Sequence, residues 1–233
     1  MTPDLNYFRP FVLLGMDSHS FEGLIPFAVP FGVLSYWIFH VILKRPLLSL
    51  MPQFVASRLG TLPSSRRLLP SVSPIAVVAS IIVGAATHIA WDACTHVGGG
   101  VVRTFPLLQT PVVTIHDYRI GVYKVLQYLS TVVGSLLIAR WAWTWLRATQ
   151  PGVPAVPVLR RSARFAILAS IPLVGASAGL WSLLRSEWLD AAGFRHHAYR
   201  SGLSVLYASA LWGMAIALVW HFVTKLRRRV EPA

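Results

Sequence analysis

Apolar residues fall along this chain in five long runs, separated by stretches rich in charge, proline and serine. The runs cover roughly 24 to 43, 74 to 97, 121 to 146, 163 to 184 and 202 to 224. A helix needs about 20 apolar residues to cross the hydrocarbon core of a bilayer. Each run therefore predicts one spanning helix, and the chain predicts an all-α, polytopic transmembrane helix bundle. Pro26 and Pro30 sit near the start of the first run, where missing amide donors predict a bend. The second run should begin after Pro74 and close at Gly98-Gly99-Gly100, where glycine can adopt the left-handed conformation that ends a helix. The stretches at 44 to 73 and 151 to 158 read as connectors, so residues 1–233 read as a single integral-membrane domain.

Charge changes this picture by giving the spans a direction. The formal net charge is +13, yet only 12% of the residues are charged and 55% are hydrophobic. In a soluble domain such a balance points to nucleic acid; here the basic residues are spread over loops that flank apolar runs. Lys44, Arg45, Arg58, Arg66 and Arg67 lie between the first two runs, and Arg147, Arg160, Arg161 and Arg164 between the third and fourth. Lys225, Arg227, Arg228 and Arg229 follow the fifth, against Glu231 alone. The alternate segments are nearly balanced: Asp4, Asp17 and Glu22 against Arg9, Asp117 against Arg103 and Arg119, and Glu187 and Asp190 against Arg185, Arg195 and Arg200. By the positive-inside rule this alternation predicts an N-terminus outside and a C-terminus in the cytoplasm. It predicts a multi-pass protein of a cell inner membrane, with membrane lipids as partners, no nucleic acid, and room for a homo-oligomer. The acidic residues ahead of the first run lack the basic character of a cleaved leader, so insertion is expected to rely on the spans themselves. Trp141, Trp143 and Trp145, with Trp181 and Trp188, read as interface anchors.

Candidate chemistry concentrates in His88-Ile-Ala-Trp-Asp92-Ala-Cys-Thr-His96. Positions i, i+4 and i+8 share a helical face, so His88, Asp92 and His96 should project together near the outer end of the second span. Ionisable groups inside a span are costly and are expected to serve a task. The outer segments add Asp4, Asp17, His19 and Glu22, then His116 and Asp117, then His196 and His197. Imidazole with carboxylate is the donor mixture of zinc, manganese and iron sites, and a further carboxylate can act as general base.

Each element also has a plainer reading. His88 and Asp92 can satisfy one another one turn apart. His19 and Asp4 can be solvated loop residues, and His116, Asp117, His196 and His197 fit that reading better than a ligand role. His40 and His221, near the cytoplasmic ends of their spans, read as packing or interface residues. Cys94, the single cysteine, excludes an intrachain disulfide and reads as a small buried side chain. Ser18 or Ser20 beside His19 lacks any marked base and orienting acid for serine catalysis. No Gly-x-Ser-x-Gly, P-loop, His-Glu-x-x-His or Cys-x-x-Cys motif is present.

Three stretches carry a family resemblance: Pro3-Asp4-Leu5-Asn6-Tyr7-Phe8, Ser18-His19-Ser20-Phe21-Glu22-Gly23-Leu24, and Gly84 through His96. Phe39-His40, Pro46-Leu47-Leu48 and Tyr123-Lys124-Val125-Leu126-Gln127-Tyr128 extend it. With these the chain resembles an uncharacterised bacterial integral-membrane family, a domain of unknown function that is itself similar to membrane-bound metal-dependent hydrolases. More distantly, the second span resembles the His-x-x-x-Asp helix of zinc-dependent phospholipases. The resemblance implies metal binding at Asp4, His19, His88 and Asp92, with His96 next in line. Family members ordinarily carry a Ser-His-Pro element ahead of the Pro-Asp pair, so either an upstream start or a smaller ligand set is expected here.

The reading is a metal-dependent hydrolase at the extracytoplasmic face, acting on a phosphoester of a lipid or envelope molecule. A divalent metal, zinc or manganese, would be held by Asp4, His19, His88 and Asp92, and Asp92, His96 and Asp17 are the candidate catalytic groups. The alternatives are a non-enzymatic membrane assembly or interaction protein and, third, a small-solute transporter. Transport would call for ionisable groups in several spans, and here they gather chiefly in the second.

Overall fold

The computed structural model describes residues 3–7, 18–59, 73–115, 118–185 and 191–230. Its elements are α1 (Val29–Ile38), α2 (Lys44–Leu50), α3 (Gln53–Leu59), α4 (Pro74–Thr95), α5 (Gly100–Thr104), α6 (Pro106–Gln109), β1 (Pro111–Ile115), β2 (Tyr118–Gly121), α7 (Val122–Ala148), α8 (Arg161–Leu184) and α9 (Ala191–Val230). Five segments are long and apolar enough to cross a membrane: Leu24–Leu50, Pro74–Thr104, Val122–Ala148, Arg161–Leu184 and His196–Arg227. The all-α architecture expected from the apolar runs is the one observed, and the chain is a membrane protein by that criterion.

Two units divide the chain, one of residues 1–36 and 71–150, the other of residues 37–70 and 151–233. In the first unit, the prolines of the first span produce a change of helix type where a bend was expected. Leu24–Ala28 is a π turn in which the amides of Phe27 and Ala28 both reach the carbonyl of Gly23. Ser20 Oγ accepts the Gly23 amide at 3.1 Å and so starts this span. Phe27 and Ala28 are fully buried, and the turn packs on α4. Further along, Gly32 lies so close to Ile81 of α4 that a Cβ there would stand 2.6 Å from the isoleucine methyl.

α4 starts with Pro74 at its first turn, where the absent amide costs nothing. Its end corrects the expectation of a left-handed glycine closure. The helix stops at Thr95, His96 is extended (φ −115°, ψ 142°), and Gly99 has φ −65°. Gly99 is required for another reason: the chain folds back so tightly on the Ala93 carbonyl that no Cβ fits. The β-branched stretch Pro111–Ile115, expected as loop, pairs antiparallel with Tyr118–Gly121 to form a small hairpin before α7.

In the second unit α8 and α9 form an antiparallel pair built on small residues. Gly175 and Gly179, four apart, are buried against Ser201, Val205 and Ser209 of α9, the close approach that glycine permits between membrane helices. Ser201 donates to the Gly179 carbonyl at 2.7 Å, and Trp212 Nε1 donates to Ser170 Oγ at 2.9 Å. A second π turn, Phe39–Leu43, leads into α2. Pro46 has no amide hydrogen to offer Ile42 four residues earlier, and His221 Nε2 donates to that carbonyl at 2.9 Å. α9 is longer than the apolar run within it, so His196 and His197, expected before the fifth span, lie on the helix, their rings 5.6 Å apart.

Candidate metal centre

The 3-10 turn at Asp4, the turn at His19, α4 and α7 build this site, and all of it lies in the first unit. On α4, Ala85 and Ile89 are the buried positions. His88 and Asp92 each follow one of them by three residues and so project from the neighbouring face. Asp4 is carried by a short 3-10 turn, Pro3–Tyr7, whose first residue is fully buried. His19 sits in the turn ahead of the first span, next to the buried Ser18.

These elements bring two imidazoles and two carboxylates together. His88 Nε2 lies 3.3 Å from Asp4 Oδ2 and 3.3 Å from Asp92 Oδ2. His19 Nε2 lies 3.4 Å from Asp4 Oδ1 and 4.0 Å from Asp92 Oδ2. One ligand atom each from Asp4, His19 and His88 fall within 4.8 Å of one another. A tetrahedral zinc with bonds of about 2.0–2.1 Å sets its donor atoms about 3.3 Å apart. The shorter contacts match that spacing, and the 4.0 Å contact is somewhat longer than it.

His88 Nε2 is the atom of the cluster that the described residues leave without a hydrogen-bond partner. It is buried and makes no hydrogen bond of acceptable geometry among the described residues, although two carboxylate oxygens stand at 3.3 Å. A buried polar atom left in this state is costly. A cation held between His88 and the two carboxylates would satisfy that atom. The side chains of His88 and Asp92 are 20% and 22% exposed, against 41% for Asp4, so the cluster is open on the Asp4 side.

A hydrogen-bond chain from α7 reaches His96, one turn beyond Asp92. Lys124 Nζ has only donors and gives one to Gln127 Oε1 at 2.7 Å. That orients the amide so that Gln127 Nε2 donates to His96 Nε2 at 3.2 Å. His96 therefore carries its proton on Nδ1, which lies 3.4 Å from Asp92 Oδ1 and is hydrogen-bonded to Thr95 Oγ1. Thr95 Oγ1, also 3.4 Å from Nδ1, spends its own proton on the Trp91 carbonyl. His96 Nε2 is thus engaged by Gln127. On the other side, Ser18 Oγ lies 3.0 Å from His19 Nδ1 and can accept the Nδ1 proton when Nε2 offers its lone pair. Ser18 is 1% exposed, which removes it as a nucleophile.

The profile of a family described as "Domain of unknown function (DUF4184)" matches residues 1–224. The chain belongs to the DUF4184 family. No curated protein and no solved structure matches it. The DUF4184 match takes in all five spans almost to the end of α9, and every residue of the cluster.

For this DUF4184 chain, sequence reasoning placed Asp4, His19, His88, Asp92 and His96 as one set, and the structure brings them together. Asp17, His116, Asp117 and Trp188 lie outside the described residues. Glu22 is exposed. His40, His196, His197 and His221 belong to the second unit. Cys94 is half-buried, its thiol donating to the Ala90 carbonyl. Lys124 and Gln127 were not anticipated as site residues; they stand on α7, and their one signal in the sequence was membership of the family-like stretch Tyr123 to Tyr128.

Proposed function

We propose that this DUF4184 protein is a membrane-embedded, metal-dependent hydrolase acting on a phosphoester of a lipid or envelope molecule. The observation that carries the reading is the buried, unsatisfied His88 Nε2 between the carboxylates of Asp4 and Asp92. Asp4, His19, His88 and Asp92 would hold zinc or manganese. A divalent cation in such a site supplies Lewis acidity toward a phosphoryl oxygen and toward the attacking water. The chain's own part is orientation: His96, fixed by Gln127, holds the Asp92 carboxylate, and Ser18 steadies the His19 ring. Asp92, with Asp17 beside the first span, is the proposed proton acceptor. The resemblance to membrane-bound metal-dependent hydrolases supports this class of reaction. The distribution of basic residues supports an outer-facing cluster in a cell inner membrane, where a lipid substrate reaches the site by lateral diffusion.

The test is metal content per chain by mass spectrometry after mild detergent purification, for wild type and His88→Ala, followed by hydrolysis of phospholipid and isoprenoid phosphate substrates. Stoichiometric zinc or manganese that is lost in His88→Ala, together with metal-dependent turnover, is the expected result. Wild-type protein without metal would return His88 and Asp92 to a helix-joining role in an assembly or interaction protein. Bound metal without turnover, but with solute uptake in sealed vesicles, would favour transport.

A further inference from the structure

The second unit has no carboxylate side chain among its described residues: Glu187, Asp190 and Glu231 lie outside them, and every other acid belongs to the first unit. Within this unit, two cavities meet. One, of about 560 Å³, is edged by Arg45, His221, Lys225 and Arg227. The other, of about 400 Å³, is lined by Leu50, Ala215, Ile216, Val219 and Val223 and is almost wholly apolar. Trp220, Thr224 and Arg227 line both, so the apolar slot opens into the basic mouth. Both volumes fall in the range of about 300–1,000 Å³ usual for small-molecule sites.

We infer that this pair of cavities is a binding site for an anionic phospholipid, with the phosphate in the mouth and an acyl chain in the slot. Two features argue for that occupant over a general attraction of basic loops to the membrane. The cations converge on one cavity from two elements distant in sequence, α2 and α9. The slot begins at the mouth, as the covalent link between headgroup and tail requires. His221 keeps its Nε2 proton on the Ile42 carbonyl, so the wall of the mouth is braced from α9 to the first span. Basic pockets between membrane helices recognise anionic headgroups in this way. This site is separate from the metal centre and does not depend on it.

The experiment uses the full chain in mild detergent, with binding of dimyristoyl phosphatidylglycerol and dimyristoyl phosphatidylcholine measured by native mass spectrometry. Surface charge contributes roughly fivefold per Lys or Arg. Arg45→Gln with Arg227→Gln should therefore weaken phosphatidylglycerol about thirtyfold and leave phosphatidylcholine unchanged. Ala215→Trp, which fills the slot and leaves the charge intact, should weaken phosphatidylglycerol independently. Arg58→Gln with Arg161→Gln removes equal charge outside both cavities and should have little effect. Equal binding of the two lipids by wild type would overturn the inference. So would equal losses in the two double variants, or displacement of the lipid by inorganic phosphate at comparable concentration.

Discussion

Replacing Gln127 by leucine tests whether the cluster is an organised metal site or a fortuitous gathering of polar groups. The leucine keeps the bulk on α7 but breaks two contacts, the 2.7 Å bond from Lys124 and the 3.2 Å bond to His96. His96 then loses the group that holds its proton on Nδ1, 3.4 Å from Asp92 Oδ1. Partners one step behind metal ligands are worth about 10–100-fold in affinity. Here the influence passes through a half-exposed imidazole (48%) and a 3.4 Å contact. That places the expected loss near the lower bound, about tenfold or about 1.4 kcal/mol. Competition with a chromophoric zinc chelator, on detergent-solubilised full-length protein, measures it. Since both residues act along one chain, His96→Ala combined with Gln127→Leu should bind zinc no more weakly than His96→Ala alone. A change below about twofold, or two losses that simply add, would refute the argument that Lys124, Gln127 and His96 orient Asp92.

Three further outcomes follow from contacts elsewhere. Chelation should lower the thermal midpoint of wild-type protein, since zinc at 100 times its Kd stabilises by about 2.7 kcal/mol; His88→Ala should show no such metal-dependent shift in a differential scanning measurement. Gly179→Leu must place a side chain where a Cβ would already stand 2.5 Å from Val205 Cγ2, and overpacking of this kind costs about 1–3 kcal/mol. Equilibrium unfolding in bicelles should register that loss, and no loss would mean that α8 and α9 do not pack as described. His221→Phe leaves the Ile42 carbonyl without its donor, at a cost of about 1–3 kcal/mol; the same unfolding assay should show it while metal content stays at the wild-type level.

Hydropathy made the five spans legible because length and apolarity are what a bilayer selects. It was less informative about where helices end. α9 continues through Arg195, His196, His197 and Arg200, residues that leave the apolar run but do not break a helix. The hairpin at Pro111–Gly121 was not legible because its first strand is only five residues long and lies outside every span. The spacing of His88, Asp92 and His96 revealed their contact even though the helix stops one residue short of His96, because the fold-back at Gly99 keeps that imidazole beside Asp92. The approach of Asp4 and His19 to α4 is tertiary, and in the sequence only their place on the same side of the membrane as the end of the second span and the family resemblance hinted at it. Gln127 is 31 residues from His96, beyond the reach of any helical periodicity. The GxxxG spacing of Gly175 and Gly179 was present in the sequence and is a recognised sign of close helix contact.

The cluster of Asp4, His19, His88 and Asp92 also has a history in time. Asp4 and His19 precede the first span, whereas His88 and Asp92 arrive near the end of the second, roughly seventy residues later. At about 5–20 residues per second, a ribosome needs several seconds to deliver the second half after the first. The early pair must wait without its partners, and the later pair enters the membrane already matched to itself at 3.3 Å across one helical turn. The four-residue cluster is therefore complete only after the first two of the five spans have been inserted and have found each other.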